Sequence, residues 1–461
     1  MPVTSQNSPL DVLVGKTYHV KAYGCQMNLH DAERVSGLLA SKGMIYVASP
    51  EEADLVVFMT CCVREHADTR LYGNVSAMVS APTPPSGRRV VAIGGCIAQR
   101  DGDHIREHIP NVDVVFGTQA IDKLPTLAAR VWESGRRDLQ ADTSEPYEGF
   151  STDLPSIREQ AFHAWVPIMT GCNNFCTYCI VPHVRGRERS REVEDIVSEC
   201  RRLKADGVRE VTLLGQNVNS YGRDRYGAPR FAELLRLVGD TGIERIRFTS
   251  SHPRDLSDDT LAAMAEPPQV MPHLHLAVQS GSSRVLAAMN RRYTREDYLA
   301  SVTALRAAMP DIALSTDVIV GFPGETAEDF EQTMSLFEEV RFSSAFTFIY
   351  SRRPGTPAAD MPDDTPREVI QERFQRLVDL VADLSLESNQ RALGSTVEVL
   401  VEGTSKADPG VMVGHSPKNQ TVHFELPEGL AAQDAIGKLV DVRVDEARSW
   451  YLRGPVVGEA R

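Results

Sequence analysis

Gly171-Cys172-Asn173-Asn174-Phe175-Cys176-Thr177-Tyr178-Cys179 carries three cysteines at spacing C-x3-C-x2-C, just after the apolar run Trp165-Val166-Pro167-Ile168-Met169. A strand running into a tight cysteine loop presents three thiolates to one metal centre. Cubic iron–sulfur clusters take thiolate ligands, usually four. Three from one loop leave one iron open, where a small molecule with an amine and a carboxylate can chelate. Zinc is the competing reading. It prefers C-x2-C pairs closed to four ligands, and the only other candidate ligand nearby is His183, so the spacing favours a cluster.

The surrounding chain has 461 residues, 42% hydrophobic and 24% charged, which is ordinary for a globular protein of several domains. Its longest apolar run, Leu55 to Val63, is far too short to span a bilayer. Met1-Pro2-Val3-Thr4-Ser5-Gln6-Asn7 lacks the basic start and apolar core of a secretory signal. We therefore expect a cytoplasmic protein with no membrane partner. Its eight cysteines then sit in a reducing compartment, where ligation or catalysis outweighs disulfides. The net charge of −14 argues against a general nucleic-acid coat. A local basic path stays open: Arg185, Arg187, Arg189 and Arg191 alternate directly after the cysteine loop. Phosphate contact and a plain solvated face are equally good readings of that run.

Residues 1–15 read as a disordered start and 16–139 as a first domain. Within it, Tyr18 to Tyr23, Ala53 to Met59, Arg89 to Ile93 and Val112 to Phe116 are apolar strands, and Asn28 to Lys42 is an amphipathic helix. Continuous apolar strands separated by helices predict an open parallel α/β sheet covered on both faces. Cys25, Cys61 and Cys96 each fall just past a strand end. In such sheets the carboxyl ends of the strands converge on one crevice, so three thiols from three loops meet there as a second cluster site. Three buried free cysteines are the plainer alternative. Cys62 stands beside Cys61, and physics alone does not choose between them.

Residues 140–160 are polar, with Pro, Gly and several acids, and read as a linker. From 161 to 385 six strand-like runs alternate with helices, which predicts a partial (βα)6 barrel with its chemistry in the loops after the strands. Gln216 and Asn217, Ser251 and Gln279 occupy such positions, and Thr316 and Asp317 lie within the fifth run. Each alone is a turn, cap or strand residue; their shared placement makes them candidate contacts for a polar cofactor. Thr294 and Thr326, each followed at the third helical position by Asp, resemble capping boxes. Cys200 lies inside a predicted helix over 193–204 as a core residue. From 386 to 461, short β-like runs between turn residues predict a small barrel. Nucleic-acid contact there would rest on a few residues such as Lys418, Asn419, His423 and Arg448.

The whole layout after about Lys16 resembles the radical S-adenosylmethionine (SAM) methylthiotransferase family, in particular its tRNA-modifying, MiaB-type members. The resemblance is carried by Gly24-Cys25-Gln26-Met27-Asn28, Thr60-Cys61-Cys62-Val63-Arg64-Glu65, Gly95-Cys96, Gly171 to Arg185 and Ser315 to Thr326. The order also matches: cluster domain, radical-SAM barrel, TRAM domain. Met59 departs from the Asn usual before Thr-Cys, and Gly414-His415-Ser416-Pro417-Lys418-Asn419 departs from a stretch richer in Arg. The resemblance implies two 4Fe-4S clusters, one on Cys172, Cys176 and Cys179, the other on Cys25, Cys61 and Cys96, and it is the resemblance that selects Cys61 over Cys62. It implies SAM as cofactor, with Tyr178 added to the candidate contacts, and tRNA as substrate, with Arg185, Arg187, Lys418 and Asn419 as candidate contacts. Phe175, Tyr178 and Arg185 are candidate walls for a splayed-out anticodon-loop base.

The reaction so implied inserts a methylthio group at carbon 2 of N6-isopentenyladenosine next to the anticodon. One SAM donates methyl; a second is cleaved to a 5′-deoxyadenosyl radical. The sulfur is held at the second cluster. A monomer served by an electron donor such as flavodoxin or ferredoxin is expected. Sister enzymes acting on threonylcarbamoyladenosine in tRNA or on a ribosomal-protein aspartate are the nearest alternatives; Gln26-Met27 favours the tRNA branch over the aspartate one, and sequence separates the threonylcarbamoyladenosine sister less cleanly. A non-catalytic iron–sulfur electron carrier and a zinc-dependent RNA-binding protein are further ones. Formation of 5′-deoxyadenosine rules out the carrier, and iron in the anaerobically purified protein counts against zinc.

Overall fold

Every residue of Leu55–Thr60 is buried, and so is every residue of Val90–Gly95. Strands covered on both faces require this, and β-branched Val and Ile supply it. In the computed structural model these runs are the centre of a six-stranded sheet. The structure describes residues 10–61, 65–84, 87–134, 140–142, 154–427 and 429–461. The strands are β1 (Thr17–Ala22), β2 (Ile45–Tyr46), β3 (Leu55–Thr60), β4 (Val90–Gly95), β5 (Val114–Phe116) and β6 (Gln140–Asp142), in the order β2-β1-β3-β4-β5-β6. All pairs are parallel. Helices α1 (Gln26–Ser41), α2 (Glu65–Ser80) and α3 (Cys96–Asp101) follow β1, β3 and β4. Two apolar cores lie within this unit, one holding Leu39, Val57, Met59 and Phe116, the other Val56, Ile93, Cys96 and Ile97. Met59, the departure from the family pattern, is thus an ordinary core side chain.

The chain divides into two compact units. The first comprises Met1–Glu159, Trp165–Cys172 and Ile180–Arg187; the second, Gln160–Ala164, Asn173–Cys179 and Glu188–Arg461. Two sequence expectations change in the first unit. The N-terminal segment is ordered from Leu10, because Leu13 is fully buried in the core beside Leu10 and Val12, and Asp11–Leu13 forms a 3-10 turn. The end of the expected linker is tied down: Arg34 Nη1 donates to Leu154 O at 2.6 Å, and Ile157 N donates to Glu33 O at 3.0 Å. Residues 1–9 and 143–153 lie outside the described residues.

In the second unit, strands Glu210–Leu214 and Arg245–Phe248 pair in parallel, as do His273–His275, Ala313–Val320 and Ser344–Ile349. Bridges Ile246↔Val270 and Ser251↔Leu276 link the two groups. Helices fill the connections, as in a barrel built from βα units. Both predicted capping boxes are present: Thr294 accepts from Asp297 N, Thr326 accepts from Asp329 N, and each Asp side chain returns to its Thr. Cys200 is a buried residue of the helix Val193–Ala205. The helix Arg367–Gln390 runs unbroken through the boundary expected at 385/386.

Beyond it, seven short strands form one sheet, in the order Glu446–Ala447, Leu452–Arg453, Thr421–Phe424, Met412–His415, Thr396–Thr404, Leu439–Arg443 and Val456–Val457. They enclose a core of Val399, Val401, Val422, Phe424, Val440 and Val442.

At the carboxyl edge of the first sheet, Thr60 joins two strand ends. Its Oγ1 donates to Gly94 O at 2.7 Å and accepts from Ile97 N at 3.3 Å. Thr60→Val keeps the shape and deletes the hydroxyl, leaving two buried backbone groups unpaired. The expected loss is about 1–3 kcal/mol, read as a lower urea midpoint with an unchanged m-value; an unmoved midpoint would show that the clamp contributes nothing.

Candidate functional site

The register of the first sheet places three cysteines together. Ala22 pairs with Met59, Met59 with Gly94, and Thr60 with Gly95. Cys61 and Cys96 therefore follow directly on a matched pair of strand ends, and Cys25 follows three residues beyond β1. Backbone shape brings the loops close. Gly24 has φ +109°, and a Cβ there would lie 2.2 Å from Cys61 Cβ; Gly95 has φ +93°, and its Cβ would lie 2.7 Å from Thr60 O. Only glycine combines these φ values with such contacts at little cost.

Cys25 is the N-cap of α1, and Cys96 is the first residue of α3. Cys61 and Cys96 are buried and Cys25 is half-buried, none of them in a disulfide. The hydrogen bond with Cys61 pulls the Cys25 thiol down to about 6 against the opposing effect of burial, and Arg185 and the Asn28 N–H act in the same direction. Cys62 lies outside the described residues.

Among the described residues, no group of three or more His, Cys, Asp or Glu side chains is gathered to hold a metal ion. A cubic cluster presents a different iron to each thiolate, so its ligands stand further apart than those of one ion. Three soft thiols, one already favoured as thiolate, form the donor set that iron–sulfur chemistry uses. The residues fit such a cluster.

The nine-residue cysteine motif is divided between the units. In the first, Gly171 has φ +75°, a Cβ there would lie 2.0 Å from Arg187 O, and Cys172 N donates to Gly186 O at 3.1 Å. In the second, Asn290 Nδ2 donates to Phe175 O at 2.9 Å and Thr177 Oγ1 to Ala288 O at 2.9 Å. Thr177 N donates to Met289 O at 3.1 Å, and Phe175 takes a left-handed φ of 47°. The buried Arg291 donates from Nη1 to Cys176 Sγ at 3.4 Å and from Nη2 to Ala277 O at 2.8 Å. Arg291 escaped the sequence reading, because its sulfur partner lies far away in the chain. These contacts give the loop a defined shape around Cys176 and Cys179.

Loops after the strands Glu210–Leu214 and Arg245–Phe248 hold buried polar atoms with no hydrogen-bond partner: Asn217 Oδ1, Asn219 Nδ2, Ser251 Oγ and His252 Nε2. Buried polar groups are normally satisfied, so four orphans in two adjacent loops form a polar cradle that fits SAM. Asn217 is held through Nδ2 to Asp255 Oδ2 at 2.7 Å, and His252 N donates to Asn219 Oδ1 at 3.1 Å. His252 Nδ1 accepts from Arg254 N at 3.3 Å, and burial above all, with Arg291, pushes the ring down to about 2. The neutral ring therefore carries its proton on Nε2, as a donor. Asn219 and His252 are additions to the sequence reading; they stand beside the predicted Asn217 and Ser251.

Gln279 is buried with a left-handed φ of 70°, Gln216 is half-buried, and Asp317 is half-buried 3.3 Å from His275 Nε2. Two further predicted contacts also have partners within the chain. Thr316 Oγ1 donates to Leu276 O at 2.8 Å and accepts from Val278 N at 2.9 Å, which makes it a tie between strands. Tyr178 packs against the apolar cluster of Val285, Met289 and Phe322.

The alternating arginines form no continuous basic path. Arg185 is buried and donates to Asp31 at 3.0 Å, so its guanidinium is committed inside the first unit and unavailable to phosphate. Arg191 is buried against Glu199 at 2.8 Å. Arg187 remains exposed. Lys418 and Asn419 are exposed on a turn anchored from beneath: Arg247 donates to Ser416 O at 2.8 Å and Arg245 to His415 O at 3.0 Å.

Comparison with known proteins follows the same divisions. Residues 17–117 match Uncharacterized protein family UPF0004, residues 166–337 the Radical SAM superfamily, and residues 390–457 the TRAM domain. A protein of Streptomyces griseus named tRNA-2-methylthio-N(6)-dimethylallyladenosine synthase is 52% identical over 460 residues, covering 98% of this chain and 89% of its own. Proteins of the same name from Acidothermus cellulolyticus and Carboxydothermus hydrogenoformans are 51% and 48% identical, over 94% and 96% of this chain and 86% and 99% of theirs. Among solved structures, the radical S-adenosylmethionine methyltransferase TsrM from Kitasatospora setae, with tryptophan and a SAM analogue bound, shares the fold. Its TM-score is 0.53 at 14% identity, over 75% of each chain.

In cluster-free protein, alkylation of Cys25 by iodoacetamide should rise through a midpoint of about 6 as pH increases. Cys200, which burial pushes up to about 12, should stay unreacted at neutral pH. Mass-spectrometric peptide mapping reads both; a Cys25 midpoint near the ordinary thiol value of ~8.5 would contradict the electrostatics described.

Proposed function

This chain belongs to the family of tRNA-2-methylthio-N(6)-dimethylallyladenosine synthases, and from that premise we propose how its residues divide the reaction. It is a radical-SAM methylthiotransferase that converts N6-isopentenyladenosine next to the anticodon of tRNA to its 2-methylthio derivative. The C–H bond replaced is too strong for side-chain acid–base chemistry, so cofactors carry the hard step and the protein supplies binding and orientation.

Cys172, Cys176 and Cys179 hold a 4Fe-4S cluster, and Cys25, Cys61 and Cys96 hold a second, auxiliary one. When bound, the first supplies the electron that cleaves SAM and the second supplies sulfur. The observation that carries the second assignment is the placement of three thiols after three adjacent parallel strand ends, with Cys25 favoured as thiolate.

The chain's own groups have distinct tasks. Arg291 fixes Cys176 and brings positive charge to its sulfur. Asn217, Asn219, Ser251 and His252 receive SAM: His252 Nε2 and Asn219 Nδ2 donate, and Asn217 Oδ1 accepts. Gln216, Gln279 and Asp317 complete that polar wall. Arg187, Lys418 and Asn419 meet the tRNA backbone, with phosphate contacts setting orientation. The working unit is one chain in the cytoplasm, reduced by a flavodoxin- or ferredoxin-class carrier. Among the described residues no helix is long and apolar enough to cross a membrane.

Anaerobically reconstituted protein with dithionite, SAM and isopentenylated tRNA should yield the 2-methylthio nucleoside together with 5′-deoxyadenosine, read by mass spectrometry. Replacing any of Cys172, Cys176 or Cys179 by Ala should abolish both products. Cys25→Ala should abolish methylthiolation and leave SAM cleavage measurable; methylthio product from Cys25→Ala would remove the auxiliary-cluster assignment. Lys418→Ala should weaken tRNA binding and reduce the slope of log affinity against log salt by about 0.7–0.9; an unchanged slope would take Lys418 off the RNA surface.

A further inference from the structure

Behind the auxiliary thiols lies a buried polar network that the reaction as described leaves unused. Arg185 ends the short helix Val181–Arg185 and is 7% exposed; Asp31, on α1, is 2% exposed. Arg185 Nη2 donates to Asp31 Oδ2 at 3.0 Å and to Asn28 Oδ1 at 3.2 Å. Asn28 is itself oriented, because its Nδ2 donates to Tyr23 O at 2.8 Å. Asp31 Oδ1 meets His30 Nδ1 at 3.3 Å, and His30 Nε2 accepts from Arg34 Nε at 3.2 Å, which puts the His30 proton on Nδ1 facing Asp31. Asp31 is thus divided between two donors.

The network adjoins the thiols from two sides. Asn28 and Asp31 occupy the first turns of α1, directly after its N-cap Cys25. Val184, the residue before Arg185, shares an apolar cluster with Cys96 and Ile97. Both Arg185 bonds leave from Nη2, so Asp31 and Asn28 do not take up the rest of the guanidinium. Burial opposes its charge; Cys96 first, then Asp31 and Cys25, outweigh burial and hold the charge in place. Burying a cation is costly unless anions face it, and the thiol set provides them.

We propose that Arg185, oriented by Asp31 and Asn28, is the fixed counter-charge of the auxiliary cluster on Cys25, Cys61 and Cys96, and that it raises the cluster's reduction potential. Reduction, or a sulfur anion at the open iron, adds negative charge to the cluster. A guanidinium that cannot move away stabilises both, since net charge and hydrogen bonding near a cluster set its potential. Asp31 has the opposite electrostatic effect while holding Arg185 in place. The inference rests on the auxiliary-cluster reading and gives Arg185 a positioning role toward sulfur instead of a contact with RNA.

The test uses the full chain with Cys172, Cys176 and Cys179 replaced by Ala, so that one cluster remains, reconstituted anaerobically. Its midpoint potential is measured by EPR-monitored titration. In that background Arg185→Gln should lower the midpoint, Arg185→Lys should restore most of the shift, and Asp31→Asn should raise it. Opposite signs from the two neutralising changes are the signature of charge; a merely structural role would move both the same way or move neither. Unchanged midpoints at full iron content, or shifts of one sign, would overturn the inference. If Arg185→Gln takes up no iron, Asp31→Asn decides, and an unraised midpoint there overturns it. A parent variant with no iron at all would remove the auxiliary-cluster reading itself and this inference with it.

Discussion

Parallel pairing of β1, β3 and β4 fixes where three thiols can be. In a parallel sheet all carboxyl ends lie on one edge, and the register Ala22↔Met59↔Gly94 sets how far each strand reaches along it. Cys25, Cys61 and Cys96 have little freedom after that. The tight loops depend on Gly24 and Gly95, and the strand ends are held by the Thr60 hydroxyl. A one-residue slip of β3 against β4 would separate Cys61 from Cys96 and turn a fully buried strand inside out. The two apolar cores that cover the sheet therefore position the site as well as stabilise the fold.

Several buried arginines among the described residues are paired with a carboxylate. Arg185 meets Asp31, Arg191 meets Glu199, and Arg245 and Arg247 share Glu210. Breaking such a pair on one side costs about 3–5 kcal/mol. Each pair lies where an element must be oriented: a short helix at the thiol edge, the entry to a barrel helix, the turn bearing Lys418. Arg291, buried beside Cys176, has the thiol as its soft acceptor. The orphaned atoms of Asn217, Asn219, Ser251 and His252 are the contrasting case: they are buried with no hydrogen-bond partner in the chain.

Strand positions, the two capping boxes and the placement of Cys25, Cys61 and Cys96 beyond strand ends were legible because each depends on nearby residues: apolar runs, Thr-x-x-Asp spacing, a cysteine just past a strand end. What escaped depends on distance in the chain. The alternating arginines looked like a basic stripe because alternation is visible and burial is not; Asp31 lies 154 residues from Arg185. Thr316 lies within a strand, as its sequence predicts, but the partners of its hydroxyl, Leu276 O and Val278 N, lie 40 and 38 residues away in the chain. The strand Met412–His415 escaped because Gly414 and His415 weaken its β signal, and its pairing with Leu400 and Val401 supplies what its own sequence lacks. Arg291 and His252 became visible only once folding brought them against a thiol and a set of unpaired polar atoms.

That one chain carries two separate clusters on two separate sets of thiols is most directly tested by iron and sulfide content per chain after anaerobic reconstitution. The wild-type protein should hold twice the iron of the variant lacking Cys25, Cys61 and Cys96, and twice that of the variant lacking Cys172, Cys176 and Cys179. Full wild-type iron in the variant without Cys25, Cys61 and Cys96 would contradict the account, leaving the sheet-edge thiols as buried cysteines and nothing more.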